Sequence, residues 1–130
     1  MLYKIGKLKE RVISLQEGNN KVVFTNGCFD ILHPGHFQYL KQSKDLGDFL
    51  IVGINSDSSV KKLKGTSRPI HKEQVRSQNL IKLDYVDAVI IFNEDTPIQL
   101  IKSLKPNSLT KGGDYQESDI VGSKFVEKNG

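Results

Sequence analysis

The chain has 130 residues, 37% of them apolar and 26% charged, with a formal net charge of +4. That length holds one ordinary core, and this balance excludes a disordered polyelectrolyte. No apolar run reaches the ~20 residues needed to cross a bilayer, the first ten residues lack a secretory pattern, and the single cysteine, Cys28, has no partner for an intrachain disulfide. A cytoplasmic setting without a membrane partner is therefore expected. The basic residues Lys61, Lys62, Lys64, Arg68, His71, Lys72 and Arg76 crowd the middle of the chain without interleaved aromatics. That pattern suits phosphorylated small molecules better than a nucleic acid, which needs a stacking platform for single strands.

Tyr3 to Leu15 places Ile5, Leu8, Val12 and Leu15 at helical spacing, and Gly18-Asn-Asn20 is a stop signal. Val22 to Thr25 reads as a buried strand ended by Asn26-Gly27. His33 to Leu46 reads as a helix with Pro34 in its first turn, Phe37, Leu40 and Leu46 along one side, and Gly47 as its C-cap. Phe49 to Ile54 is a second strand, and Asp57 or Ser58 is expected to cap a short helix that carries the lysines. Glu73 to Leu83 is a helix with Val75, Leu80 and Leu83 facing inward, Val86 to Phe92 a third strand, and Thr96 or Asp95 the cap of a helix running to Leu104. Ser108 to Thr110 is a short fourth strand leading into Gly112-Gly113.

Apolar strands alternating with helices predict an α/β, Rossmann-like, doubly wound parallel sheet with helices on both faces, formed as a single domain over residues 1–130. Ligands in such sheets bind beyond the carboxyl ends of the strands, at the switch point. The loops after Thr25, Ile54 and Thr110 are expected to meet there.

Asn26-Gly-Cys-Phe-Asp-Ile-Leu-His-Pro-Gly-His36 joins the first of these strands to its crossover helix. Gly27 and Gly35 permit close backbone approach, and the helix start offers unpaired N–H groups and a positive dipole end, so the segment has the chemistry of a phosphate site. His33 and His36, three residues apart, point the same way on a helical turn. The same spacing suits a metal, but no third His or Cys lies near, and no metal site is expected.

His33-Pro-Gly-His36 resembles the H-x-G-H signature of the cytidylyltransferase-like nucleotidyltransferases, and Gly27-Cys-Phe-Asp30 resembles that family's loop after the first strand. Asn55-Ser-Asp57, Lys64-Gly65, Arg68-Pro-Ile70, Arg76, Val86-Asp87, Glu94-Asp-Thr-Pro97 and Lys111-Gly-Gly-Asp-Tyr115 follow in order. Together they look like one branch, the heptose 1-phosphate adenylyltransferases of lipopolysaccharide core synthesis. That branch also occurs as the second domain of a bifunctional kinase–adenylyltransferase.

The resemblance implies transfer of AMP from ATP to a sugar 1-phosphate with release of pyrophosphate, with Mg2+ riding on the triphosphate. It gives His33, His36 and Lys64 catalytic roles on the phosphates. Asn26, Gly27, Cys28, Phe29, Gly35, Lys44, Lys111, Gly112 and Asp114 are expected at the nucleotide. Asp30, Asp57, Lys62 and Arg76 are expected at the acceptor, with ordering of the loop as the other role for Asp30 and a structural carboxylate as the other partner for Arg76. Lys44 has the alternative of an exposed helix lysine, and Asp57 that of a helix cap. Cys28 is not expected to be a nucleophile, because in-line transfer needs none.

The family continues past the position of Gly130 with a strand and a helix that opens in a Ser/Thr-rich segment on the phosphates, and this sequence stops before both. The sheet edge so exposed, and the dimers common in the family, make a homodimer an expected assembly. Two other readings stay open at this point. One is a cytidylyltransferase acting on glycerol 3-phosphate or a similar polyol phosphate. The other is a nucleotide-binding protein impaired in catalysis.

Overall fold

The computed structural model describes residues 1–30, 32, 34–65, 70–94 and 96–110. The elements in chain order are β1 (Leu2–Tyr3), α1 (Ile5–Glu17), β2 (Val22–Gly27), α2 (Pro34–Asp45), β3 (Phe49–Asn55), α3 (Asp57–Lys64), α4 (Glu73–Ile81), β4 (Ala88–Phe92), α5 (Ile98–Leu104) and β5 (Ser108–Thr110). The five strands form one sheet in the order β1-β4-β3-β2-β5, and every pairing is parallel.

From β2 the chain steps through β3 to β4 in one direction, and β5 then returns to the other side of β2. The winding thus reverses between β2 and β5. A crevice opens at such a point, because the helices on either side of the reversal leave in opposite directions.

Alternation along the strands fills two cores. Val22, Phe24, Ile51, Ala88 and Ile90 pack with Leu8 and Val12 of α1 and Ile101 and Leu104 of α5. Val23, Leu50, Val52 and Val89 face the other way, toward Leu40 of α2 and Leu80 of α4. Each fully buried aliphatic side chain of this kind stabilises the fold by about 1.5–3 kcal/mol. The doubly wound parallel α/β sheet expected from the sequence is the fold observed.

The differences are local. Leu2–Tyr3 is an edge strand paired with Val89 and Ile90, and the first helix begins at Ile5 instead of Tyr3. Two residues are too few for a periodic signal, so only pairing with β4 makes them a strand. Ile5, Phe37, Leu46 and Val75 are exposed instead of inward, and α4 buries Arg76, Ser77 and Leu80. The cap of α3 is Ser56, whose hydroxyl accepts from the Ser59 amide, in place of Asp57 or Ser58. At α5 the cap position is Pro97, without a side-chain bond, in place of Thr96, while Asp95 lies outside the described residues. Gly47 follows the end of α2 as spacing, since a Cβ there would lie 2.7 Å from Val23 Cγ2 and 2.8 Å from the Lys21 carbonyl oxygen.

Candidate functional site

The site is built first from the loop that leaves β2. Phe29 holds a left-handed backbone (φ 48°) and is almost fully buried. Its ring lies against Gly27, where a Cβ would approach Phe29 Cε2 to 2.8 Å. Any side chain at Gly27 would therefore displace the ring. The ring also meets His36 edge-to-face, at 5.4 Å between centroids and 62° between planes. Such a pair contributes about 0.5–1.5 kcal/mol beyond its buried area. Here it also sets the orientation of the imidazole, in the first turn of α2, at the carboxyl edge of the sheet. The strained backbone at Phe29 is thus tied to where His36 points, as is common where a loop must present a functional group.

Asp30 follows. Its carboxylate accepts from the amides of Ile70 (2.7 Å) and His71 (2.8 Å), so it fastens the loop after β2 to the approach of α4. Expected at the acceptor or as an ordering residue, Asp30 takes the ordering role in these contacts.

Arg76 is the centre of a second set of contacts. It is fully buried. Nη1 donates to the carbonyls of Cys28 (2.9 Å) and Asn55 (2.7 Å), Nη2 to Asp57 Oδ1 (2.8 Å), and Nε to the His71 carbonyl (3.0 Å). One guanidinium thereby ties the loop after β2, the end of β3, the start of α3 and the approach to α4. Its planar fork suits this, because its donors point outward in fixed directions. The placement of Arg76 against substrate is corrected: with no surface exposed it meets backbone carbonyls and the Asp57 carboxylate, the structural partner anticipated as its alternative. Asp57 and Glu73 add a reciprocal pair. Asp57 Oδ1 accepts from the Glu73 amide (2.9 Å), and Glu73 Oε1 accepts from the Asp57 amide (3.0 Å). The Asp57 side chain remains 30% exposed.

The end of β3 contributes polar groups to which the sequence reading gave no role, although Asn55 stands in one of the motif segments. Asn55 is buried, donating from Nδ2 to Ser59 Oγ (3.0 Å), while the Cys28 thiol lies 3.6 Å from Asn55 Oδ1. Ser59 Oγ donates to the Glu94 carbonyl (3.1 Å), joining α3 to the loop after β4. On the β5 side, Thr25, Tyr39, Ser43 and Thr110 bring four hydroxyls together, with Thr25 and Ser43 buried. Burial pushes the Tyr39 phenol above its ordinary pKa, partly offset by its contacts with Thr110 and Ser43, so it remains a neutral donor. A Tyr three residues after His36, one helical turn on, was the available sequence signal for this cluster.

The expected residues are thus brought together in part. Asn26, Gly27, Cys28, Phe29, Gly35 and His36 gather around the end of β2 and the start of α2, and Asp57 stands at the end of the adjacent β3. Lys44 does not join them. Helix α2 runs from the carboxyl edge of the sheet back to the amino edge, so its last turn lies at the wrong end. There Lys44 Nζ pairs with the Asp87 carboxylate and donates to the Asp48 carbonyl (2.9 Å). Asp87 Oδ2 also accepts from the Leu50 amide (2.8 Å), which makes the group a fastener between strand starts. Lys62 is exposed on α3. His33, Lys111, Gly112 and Asp114 lie outside the described residues, as does the side chain of Lys64.

The family model described as cytidylyltransferase-like matches residues 24–127. The chain belongs to the cytidylyltransferase-like family. Among curated members, it is 53% identical over 125 residues to the Bifunctional protein HldE of Helicobacter pylori (strain G27) and 52% identical over 125 residues to that of Campylobacter jejuni. Each match covers 96% of this chain and 27% of the relative, so the chain spans about a quarter of their length. A solved relative is the lipopolysaccharide core biosynthesis protein from Thermoplasma volcanium GSS1, with a TM-score of 0.69 and 32% identity, covering 84% of this chain and 88% of that one. Among the described residues of this cytidylyltransferase-like chain, no helix is long and apolar enough to cross a membrane, and no group of three His, Cys, Asp or Glu side chains could hold a metal ion.

Proposed function

We propose that this chain is a nucleotidyltransferase domain that transfers AMP from ATP to a heptose 1-phosphate, releasing pyrophosphate and forming ADP-heptose for lipopolysaccharide core synthesis. The observation that carries the reading is the His36 ring, oriented by Phe29 at the start of α2, beside the crevice where the sheet winding reverses. Membership of the cytidylyltransferase-like family supports transfer of a nucleotide. The relatives named bifunctional support placing one activity in a segment of this length. The solved relative, a lipopolysaccharide core biosynthesis protein, supports the lipopolysaccharide context.

In this reading an oxygen of the sugar phosphate attacks the α-phosphorus of ATP. The bond from that phosphorus to the bridging oxygen breaks as pyrophosphate leaves. His33 and His36 stabilise charge on the phosphates, assisted by the amides of Gly27, Cys28, Phe29 and Gly35 and by the dipole of α2. Lys64 and Lys62 approach the phosphates from α3. Lys111, Gly112 and Asp114, after β5, take the nucleoside. The exposed part of the Asp57 carboxylate accepts from sugar hydroxyls while Arg76 holds its Oδ1.

Mg2+ enters with the triphosphate. The carboxylates of Asp30 and Asp57 each already accept two N–H donors or more. Phosphates and water would then supply most of the oxygen ligands of the ion, as is usual for this cation. The family's common assembly makes a homodimer part of the proposal, and a cytoplasmic setting follows from the substrates.

Pyrophosphate release measured with ATP or CTP against heptose 1-phosphate or glycerol 3-phosphate tests the reading. Turnover is expected with ATP and heptose 1-phosphate. Preference for CTP with glycerol 3-phosphate would replace it with the polyol reading, and nucleotide binding without turnover would mark an impaired binding protein.

A further inference from the structure

The four hydroxyls at the end of β5 form a directed circuit once their hydrogens are counted. Each hydroxyl has a single hydrogen to give. Ser43 Oγ donates to the Tyr39 carbonyl (2.9 Å), so in its 2.9 Å contact with Thr110 Oγ1 the threonine must be the donor. Thr25 Oγ1 donates to the Thr110 carbonyl (3.0 Å), so in its contact with Tyr39 the phenol must donate. Two chains result. One runs from the Tyr39 hydroxyl through Thr25 to the Thr110 carbonyl, and the other from the Thr110 hydroxyl through Ser43 to the Tyr39 carbonyl. Tyr39 and Thr110 each start one chain and end the other.

The circuit sits between α2 and the carboxyl ends of β2 and β5, where Thr25 and Thr110 are register partners. That is the floor of the crevice at which the winding reverses. Among the described residues, strand β5 runs over Ser108–Thr110, is half-buried and pairs with β2 at three ladder positions. Three ladder positions fasten a strand weakly. The residue that follows it is Lys111, at the head of the Gly-Gly stretch. Tyr39, in turn, is one helical turn after His36.

Building on the nucleotidyltransfer reading above, we propose that Tyr39 and Thr110 are positioning residues for the nucleotide: their reciprocal hydroxyl circuit locks the end of β5 to α2 and so fixes the distance between the nucleoside side of the crevice and the histidine that meets the phosphates. Neither residue touches the reacting atoms. Their effect falls on nucleotide affinity and spares the acceptor, whose contacts lie across β2 on the β3 side.

The test uses the full chain, with ATP and Mg2+ as the probe, and measures Kd by calorimetry beside KM for each substrate. Thr110→Val keeps the shape and removes the hydroxyl. It is expected to raise the Kd for ATP about five- to tenfold, the equivalent of one lost hydrogen bond, and to leave the KM of the acceptor unchanged. Tyr39→Phe should act in the same direction, and the double variant should lose less than the two single losses combined, because the circuit is shared. Thr110→Ser restores the donor and should recover wild-type affinity. Unchanged ATP affinity in folded Thr110→Val, an equal rise in acceptor KM, or failure of Thr110→Ser to rescue overturns the proposal. A wild-type chain that binds ATP without releasing pyrophosphate overturns the functional reading instead, and the same Kd comparison still decides the circuit.

Discussion

Two braces hold the carboxyl edge of the sheet, and they are made of different chemistry. On the β3 side a buried guanidinium meets the Asp57 carboxylate and three backbone carbonyls. On the β5 side four neutral hydroxyls and two backbone carbonyls close a circuit. The charged brace joins the loop after β2, the last residue of β3 and the approach to α4 just beyond the final β2–β3 ladder pair, Gly27–Ile54, and charge-assisted bonds are roughly twice as strong as neutral ones. The neutral brace trims a strand already paired with β2, where a small correction suffices. The difference teaches that, under the proposal above, the two braces divide the work: the charged one holds the loops of the fold together and the neutral one adjusts the site.

Breaking the charged brace should cost most. Arg76→Met would leave the Asp57 carboxylate and three carbonyls without their donor, and a loss of about 3–5 kcal/mol is expected, read as a fall in the urea midpoint. A loss below about 1 kcal/mol would put the brace among surface ion pairs. His36→Ala comes next. Between the two braces, it should reduce kcat about 10²–10³-fold with little change in the ATP KM, as for removal of one transition-state donor. An equal loss in both would assign the ring to ground-state binding.

Lys44→Ala sharpens the comparison from the opposite edge. Its partly exposed pair with Asp87 predicts a stability change of about 0.2–1 kcal/mol and no change in nucleotide KM. A raised KM would return Lys44 to the phosphate site. The smallest effect concerns pH. Burial raises the Tyr39 pKa above 10.0, so the folded protein holds that proton more tightly than the unfolded chain. Stability from this group is complete below 10.0 and declines as pH rises through the higher folded value. Tyr39→Phe should flatten that alkaline limb in denaturation curves taken across it, and an unchanged slope would count against a buried phenol.

Much of this molecule was legible in its residues. Buried strands such as Phe49 to Ile54 announce themselves by unbroken apolar runs, and helices by Pro34, Gly18 and apolar spacing, because these signals are local. The loop from Asn26 to His36 was legible for the same reason: its glycines, histidines and helix start lie within a few residues. Arg76 and Lys44 were not. Each reads as a basic helix residue suited to phosphate, and the burial of Arg76 and the pairing of Lys44 with Asp87 decide what each meets. Leu2–Tyr3 likewise became a strand through Val89 and Ile90, far along the chain.

By itself, then, the order of residues determined the parallel α/β winding and the phosphate-suited loop, since both arise from periodicity and short-range stereochemistry. Tertiary structure alone decided that Lys44 pairs with Asp87, that Arg76 is buried among backbone carbonyls, and that four scattered hydroxyls share one circuit. These depend on contacts between residues tens of positions apart, whose distances are set only when both faces of the sheet are packed.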